Sequence, residues 1–63
     1  MEMNEERAKK ILNKFISRNN TIHYGDKYAD HIFWYGGDTV DIAGDFTLEE
    51  IEALAWWMRN MGL

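Results

Sequence analysis

The sequence predicts a single α+β domain, residues 1–63, in which two helices cover one face of a three-stranded antiparallel meander. Apolar residues recur at helical spacing near both ends of the chain, and β-branched and aromatic residues concentrate between them. Glycine-containing turns divide that middle segment into three parts. A chain of 63 residues without cysteine has no disulfide to stabilise it. We therefore expect most large apolar side chains to be buried.

The first helix is predicted over residues 4–18. Asn4 is a suitable N-cap, and Asn19 and Asn20 are a suitable stop. Acidic residues in the first turn and basic residues near the end match the helix dipole. The apolar positions at helical spacing are Ala8, Ile11, Leu12, Phe15 and Ile16.

The second helix is predicted from Thr47 to residue 60 or 61, with Gly62 as its stop. Thr47 and Glu50 have the spacing of a capping box, and Phe46 and Ile51 that of a hydrophobic staple. Helical geometry places Trp57 at the edge of the core and Trp56 outside it. The predicted inward stripe is Leu48, Ile51, Leu54, Ala55 and Met58.

Strands are predicted over residues 21–24, 30–35 and 39–42. A two-residue turn at 36–37 or 37–38 gives the same division of side chains between the two sheet faces. The face without charge is the predicted core, and it carries Phe33, Tyr35, Val40 and Ile42. The predicted open face carries Ile32, Trp34, Thr39 and Asp41. A three-residue turn would reverse one strand.

Trp34 and Trp56 are therefore predicted to be exposed, and exposed tryptophans on a small domain are typical of interfaces. The alternative is that the helix ends, the N-terminal Met1 and Met3, or the C-terminal Leu63 cover them. We expect a non-enzymatic protein-binding module, such as a small regulator, adaptor or inhibitor, and a viral or mobile-element origin suits its size. A homodimer through the open face would bury Trp34. The candidate protein-binding residues are Ile32, Trp34, Thr39, Asp41 and Trp56, with Glu49 and Glu52 at the rim.

The net charge of −4 is unevenly distributed. Residues 1–27 hold six basic and four acidic residues, whereas residues 28–63 hold one basic and seven acidic residues. Acidic residues around exposed aromatic rings could also imitate a nucleic-acid backbone. The alternative function is direct nucleic-acid binding through a basic stripe on one flank of the first helix. This basic stripe consists of Arg7, Lys10, Lys14 and Arg18.

The sequence predicts no enzyme, no cofactor and no metal site. Ser17 is the only serine, and no nucleophile, base and orienting group converge. An EF-hand-length loop from Asp41 to Glu52 lacks the required glycine and one oxygen ligand. His23 and His31 are expected on diverging faces, which disfavours zinc. Without an apolar spanning run or an apolar N-terminal signal region, we expect a soluble cytoplasmic protein with no membrane contact.

Overall fold

A computed structural model describes residues 2–62 and confirms the predicted α+β fold. The elements are α1 (Glu5–Leu12), a short 3-10 helix (Arg18–Asn20), β1 (Ile22–Gly25), β2 (His31–Trp34), β3 (Asp41–Ala43) and α2 (Leu48–Met61). The strands form one antiparallel sheet in the order β1-β2-β3. Within residues 2–62, neither helix has the length and apolar character that crossing a membrane requires.

Both helices begin at the predicted caps. The Arg7 backbone N–H donates to the Asn4 side chain at 2.8 Å. At α2 the Glu50 N–H donates to the Thr47 hydroxyl at 3.1 Å, and the Thr47 N–H donates to the Glu50 carboxylate at 2.8 Å, which completes the capping box. Gly62 caps the other end of α2. Each cap gives a backbone group at a helix end a hydrogen-bond partner that the helix itself lacks.

The predicted extent of the first helix is wrong, because α1 ends at Leu12 rather than near residue 18. Ile16 turns back and forms an isolated antiparallel bridge with Ile22. Asn19 and Asn20 then adopt left-handed backbone angles, with φ of 65° and 63°. Asparagine tolerates this conformation better than most residues. Phe15 and Ile16, the apolar residues after Leu12, therefore belong to a connection that packs beside β1 and not to a further turn of the helix.

The register between β2 and β3 reverses the predicted faces of β2. Phe33 pairs with Asp41 and Ile32 pairs with Ile42, which leaves three residues, 36–38, between the strands when this pairing is continued. Gly36 has a φ of 97°, a backbone angle that residues with a side chain rarely adopt. The two-residue turn predicted from the sequence is therefore wrong. Because side chains alternate along a strand, the extra residue turns Phe33 to the opposite face from Ile42.

The core lies between the helices and the inner face of the sheet, which we define by Ile22, Tyr24, Ile32, Trp34, Val40 and Ile42. Trp34 is 1% exposed, and its indole N–H donates to the Gly37 carbonyl at 2.7 Å. Met3 packs against the core, and Met1 and Leu63 lie outside the described residues. The buried members of the core are Ala8, Leu12, Phe15, Ile22, Ile32, Trp34, Ala53, Leu54 and Trp57.

The inward stripe of α2 also differs from the prediction. Trp57 is buried with its indole N–H donating to the Asn20 carbonyl at 2.9 Å, so the helix is rotated toward Trp57. Leu48 is consequently 75% exposed, and Ile51 and Ala55 are also exposed. The predicted core role of these three residues is wrong, as is the outward placement of Trp56. Trp56 is half-buried and packs against the core.

Candidate functional site

The opposite side of the sheet, called the outer face here, carries aromatic and polar side chains. Pairing of His23 with Phe33 and of Phe33 with Asp41 places these three residues on it. Both helices pack on the inner face, so within residues 2–62 no helix covers the outer face. Tyr35 is 68% exposed, and Phe33 is half-buried. Its members are His23, His31, Phe33, Tyr35, Thr39 and Asp41.

Four rings on the outer face form a continuous row. The His31 and Phe33 ring centroids are 4.6 Å apart with an interplanar angle of 13°. The His23 ring stacks against Phe33 at 4.8 Å, and the Tyr35 ring follows at 6.2 Å from His23. The two histidines therefore flank one phenylalanine instead of diverging as predicted. Their common face follows from the register, in which His23 stands opposite Phe33.

His31 is buried and holds β2 to β3 through its imidazole. Its Nδ1 lies 2.9 Å from the Ala29 carbonyl oxygen, and its Nε2 lies 3.0 Å from Asp41 Oδ1. Both neighbours are acceptors, so only the protonated ring donates to both. The Asp41 hydrogen bond, followed by that of the Ala29 carbonyl, raises the pKa of His31 above its ordinary value of 6.5.

An open recess lies next to this row on the outer face. It is lined by Phe33, Tyr35, Gly37, Thr39 and Asp41 and has a volume of about 440 Å³. The Asp41 side chain remains 69% exposed although one of its oxygens contacts His31. The recess thus combines an exposed aromatic ring with a solvent-accessible carboxylate whose orientation is held by a second side chain.

The charge around the recess is negative. Residues 28–58 contain seven acidic residues and no lysine or arginine. Asp41 lines the recess directly, and Asp38 belongs to the same connection between β2 and β3. A cationic group approaching the outer face therefore meets attraction from the recess and from the surrounding segment.

The structure separates the predicted protein-binding residues into two groups. Thr39 and Asp41 line the recess, on the face where the sequence placed them. Ile32 and Trp34 are each 1% exposed, so their predicted availability to a partner is wrong. The reason is the three-residue connection, which places the Ile32 and Trp34 side chains under the helices and leaves the Tyr35 side chain on the outer face.

The remaining predicted residues lie on α2, which packs on the inner face, and are not part of the recess. Trp56 is half-buried beside Trp57, with ring centroids 6.3 Å apart. Glu49 forms an ion pair with Arg7 of α1 at 2.7 Å, so it connects the helices. Glu52 is exposed. The sequence therefore did not identify a single surface that contains all seven residues.

The predicted basic stripe is also divided. Arg7 and Lys10 belong to α1, whereas Lys14 follows its end and Arg18 begins the 3-10 helix. Lys14 Nζ lies 5.1 Å from the Phe15 ring centroid. The prediction that all four cations share one helix flank is wrong because the helix ends before two of them.

The sequence pattern did not identify His23, Phe33 and Tyr35 as members of the exposed sheet face. Their signal was the alternation of His31, Phe33 and Tyr35, which becomes an outer-face pattern once the connection has three residues. Among residues 2–62, no three His, Asp or Glu side chains come together as metal ligands. Comparison of the chain with protein-family models, curated proteins and solved structures finds no match.

Proposed function

We propose that this chain is a non-enzymatic protein-binding module that contacts its partner through the recess and the adjoining ring row. The observation that carries the proposal is the exposed Tyr35 ring beside Phe33 and the Asp41 carboxylate. Tyrosine is enriched among residues that dominate binding energy, because it combines a large apolar ring with a hydrogen-bonding hydroxyl. Regulator, adaptor and inhibitor are the roles that such a surface suits.

The ordering of the outer face supports this proposal. Phe33 is packed between His23 and His31, and His31 is hydrogen-bonded on both ring nitrogens. These contacts restrict the side chains before any partner arrives. A preorganised surface loses less conformational entropy on binding, so more of its contact energy contributes to affinity.

The hydrogen bonds of His31 also support a binding role over catalysis. A general base needs a ring nitrogen free to accept a proton. Both nitrogens of His31 already face acceptors, at Ala29 and Asp41. His31 is therefore already engaged in structural hydrogen bonds in this arrangement.

Capture from a nuclease-treated lysate of the source cells tests the proposal. We expect the immobilised chain to retain a specific protein. The Tyr35→Ala variant should bind that protein at least about tenfold more weakly, as expected for a residue that dominates an interface. Tyr28→Ala is the matched control, because Tyr28 is 91% exposed in the loop between β1 and β2. Equal retention by the Tyr35 and Tyr28 variants would contradict the outer-face assignment.

Two further measurements distinguish nucleic-acid binding and self-association from binding to a different protein. Retention lost on nuclease treatment, with a mobility shift that weakens steeply as salt rises, would favour nucleic-acid binding through Arg7, Lys10, Lys14 and Arg18. A molecular mass that rises with concentration and falls in Tyr35→Ala would identify a second copy of the chain as the partner. Because Trp34 is already buried within one chain, its burial no longer supports such a dimer.

A further inference from the structure

We infer that the recess takes the guanidinium group of an arginine presented by the protein partner. The inference rests on the proposed protein-binding function and specifies the chemistry that the partner must present. Three features of the recess support it: its negative surroundings, its oriented carboxylate and its exposed tyrosine ring.

Charge complementarity selects a cation. The recess includes Asp41, lies beside the Asp38 connection, and belongs to a segment, residues 28–58, that has seven acidic residues and no lysine or arginine. An anionic ligand would meet net repulsion, because the seven acidic residues of this segment outnumber its one imidazole, His31. A positively charged side chain would instead give the exposed Asp41 carboxylate a second charged partner beside His31.

The Asp41 carboxylate is oriented to bind a planar donor. One oxygen, Oδ1, is held 3.0 Å from His31 Nε2, while the side chain stays 69% exposed. A carboxylate has about four lone-pair positions, so one hydrogen bond to His31 leaves room for a second partner. Arginine fits best, because its guanidinium donates two parallel hydrogen bonds to one carboxylate.

The ring surfaces favour Tyr35 as the stacking partner. The half-buried Phe33 ring already stacks against the imidazoles of His23 and His31. Tyr35 is the exposed ring of the recess. Cations are attracted to the face of an aromatic ring, and a guanidinium stacks on it while its N–H groups remain free for Asp41. A lysine ammonium has no planar surface to stack on Tyr35 while it donates two parallel hydrogen bonds to Asp41.

An NMR titration at constant ionic strength tests the inference. The probes are three capped tripeptides, Gly-X-Gly, with arginine, lysine or citrulline at the centre. Citrulline has nearly the shape of arginine but no charge. We expect the arginine probe to shift the amide signals of Gly37, Thr39 and Asp41 and to bind at least about fivefold tighter than the citrulline probe.

Variants assign this preference to the recess. Asp41→Asn keeps an oxygen acceptor for His31 but removes the charge, so the preference for arginine over citrulline should disappear. Asp45→Asn removes the same charge from an exposed residue that does not line the recess and should keep the preference. A dispersed amide spectrum checks that each variant is folded. Tyr35→Ala should weaken arginine binding, and Tyr28→Ala should leave it unchanged.

The results separate this inference from the proposed function. Equal binding of arginine and citrulline, or an equal loss in both aspartate variants, would overturn the arginine inference even if Tyr35-dependent protein capture is observed. Arginine binding that depends on Asp41 would support the recess chemistry even if capture proves independent of Tyr35. Arginine-induced shifts confined to α2, near Glu49 and Glu52, would also overturn the inference.

Discussion

Replacing Trp34 with alanine tests the most consequential feature of the fold, the orientation of β2. Trp34 is buried in the core and its indole N–H donates to Gly37. Truncating a buried tryptophan to alanine costs about 3–5 kcal/mol, because apolar contacts are lost and a cavity remains. At about 0.05–0.15 kcal/mol per residue, a chain of this length has a total stability of about 3–9 kcal/mol. Trp34→Ala should therefore remove at least about a third of the total stability, and at the lower end of that range it should unfold the chain.

The adjacent residue is the matched control. Tyr35 lies on the outer face and is largely exposed, so Tyr35→Ala should change the free energy of unfolding by less than about 1 kcal/mol. Urea unfolding followed by far-UV circular dichroism measures both variants against the unsubstituted chain. Equal midpoints for the two variants, or a larger loss in Tyr35→Ala, would refute the register and restore the two-residue turn.

Three further predictions concern a cap, a turn and a titratable side chain. Thr47→Ala should lower the free energy of unfolding by about 1 kcal/mol, because it removes the hydroxyl of the capping box; an unchanged urea midpoint would contradict this role. Gly25→Ala should destabilise the chain strongly, because its φ is 86° and a Cβ there would overlap the Asp30 carbonyl oxygen. Gly37→Ala is the control, since open space surrounds that position, and it should change stability little. Thermal unfolding compares the two variants. The raised pKa of His31 gives a stabilising contribution that is complete below about pH 6.5 and is lost as pH rises through the folded-state pKa. The stability advantage of the unsubstituted chain over His31→Gln should therefore shrink from pH 5.5 to pH 8.5, and a constant difference would contradict the two-acceptor arrangement.

Features set by neighbouring residues were predicted well. The caps at Asn4 and Thr47, the stop at Gly62 and the existence of three strands all follow from interactions within a few residues of the chain. The Thr47–Glu50 pair, for example, is recognisable because its hydrogen bonds join residues three apart.

The faces of β2 could not be read from hydrophobicity. Ile32 and Trp34 are apolar, but so are Phe33 and the ring of Tyr35, so either pair can form a core. The choice depends on whether the connection to β3 has two or three residues, and one extra residue moves every side chain of a strand to the other face. The prediction therefore placed the open surface on the correct strands. It assigned Ile32 and Trp34 of β2 to that surface, whereas the structure has Phe33 and Tyr35 there.

The helices differ from the predictions for the same kind of reason. The apolar side chains of α2 form one broad arc, with Leu48, Ile51 and Ala55 on one side of it and Leu54 and Trp57 on the other. Tertiary contacts choose between them, and the hydrogen bond from Trp57 to the Asn20 carbonyl is a contact across 37 positions of the chain. Periodicity alone gives the spacing of a buried face and leaves such a long-range choice open.

Site-specific photo-crosslinking tests the central claim, that the outer face contacts a protein, most directly. A photoreactive phenylalanine analogue is placed at position 35, with positions 28 and 48 as exposed controls in a loop and on α2. The outer-face proposal predicts a protein adduct of defined mass from position 35 that resists nuclease and is weak or missing from the two controls. An adduct from position 48 or 28 with none from position 35 would contradict it.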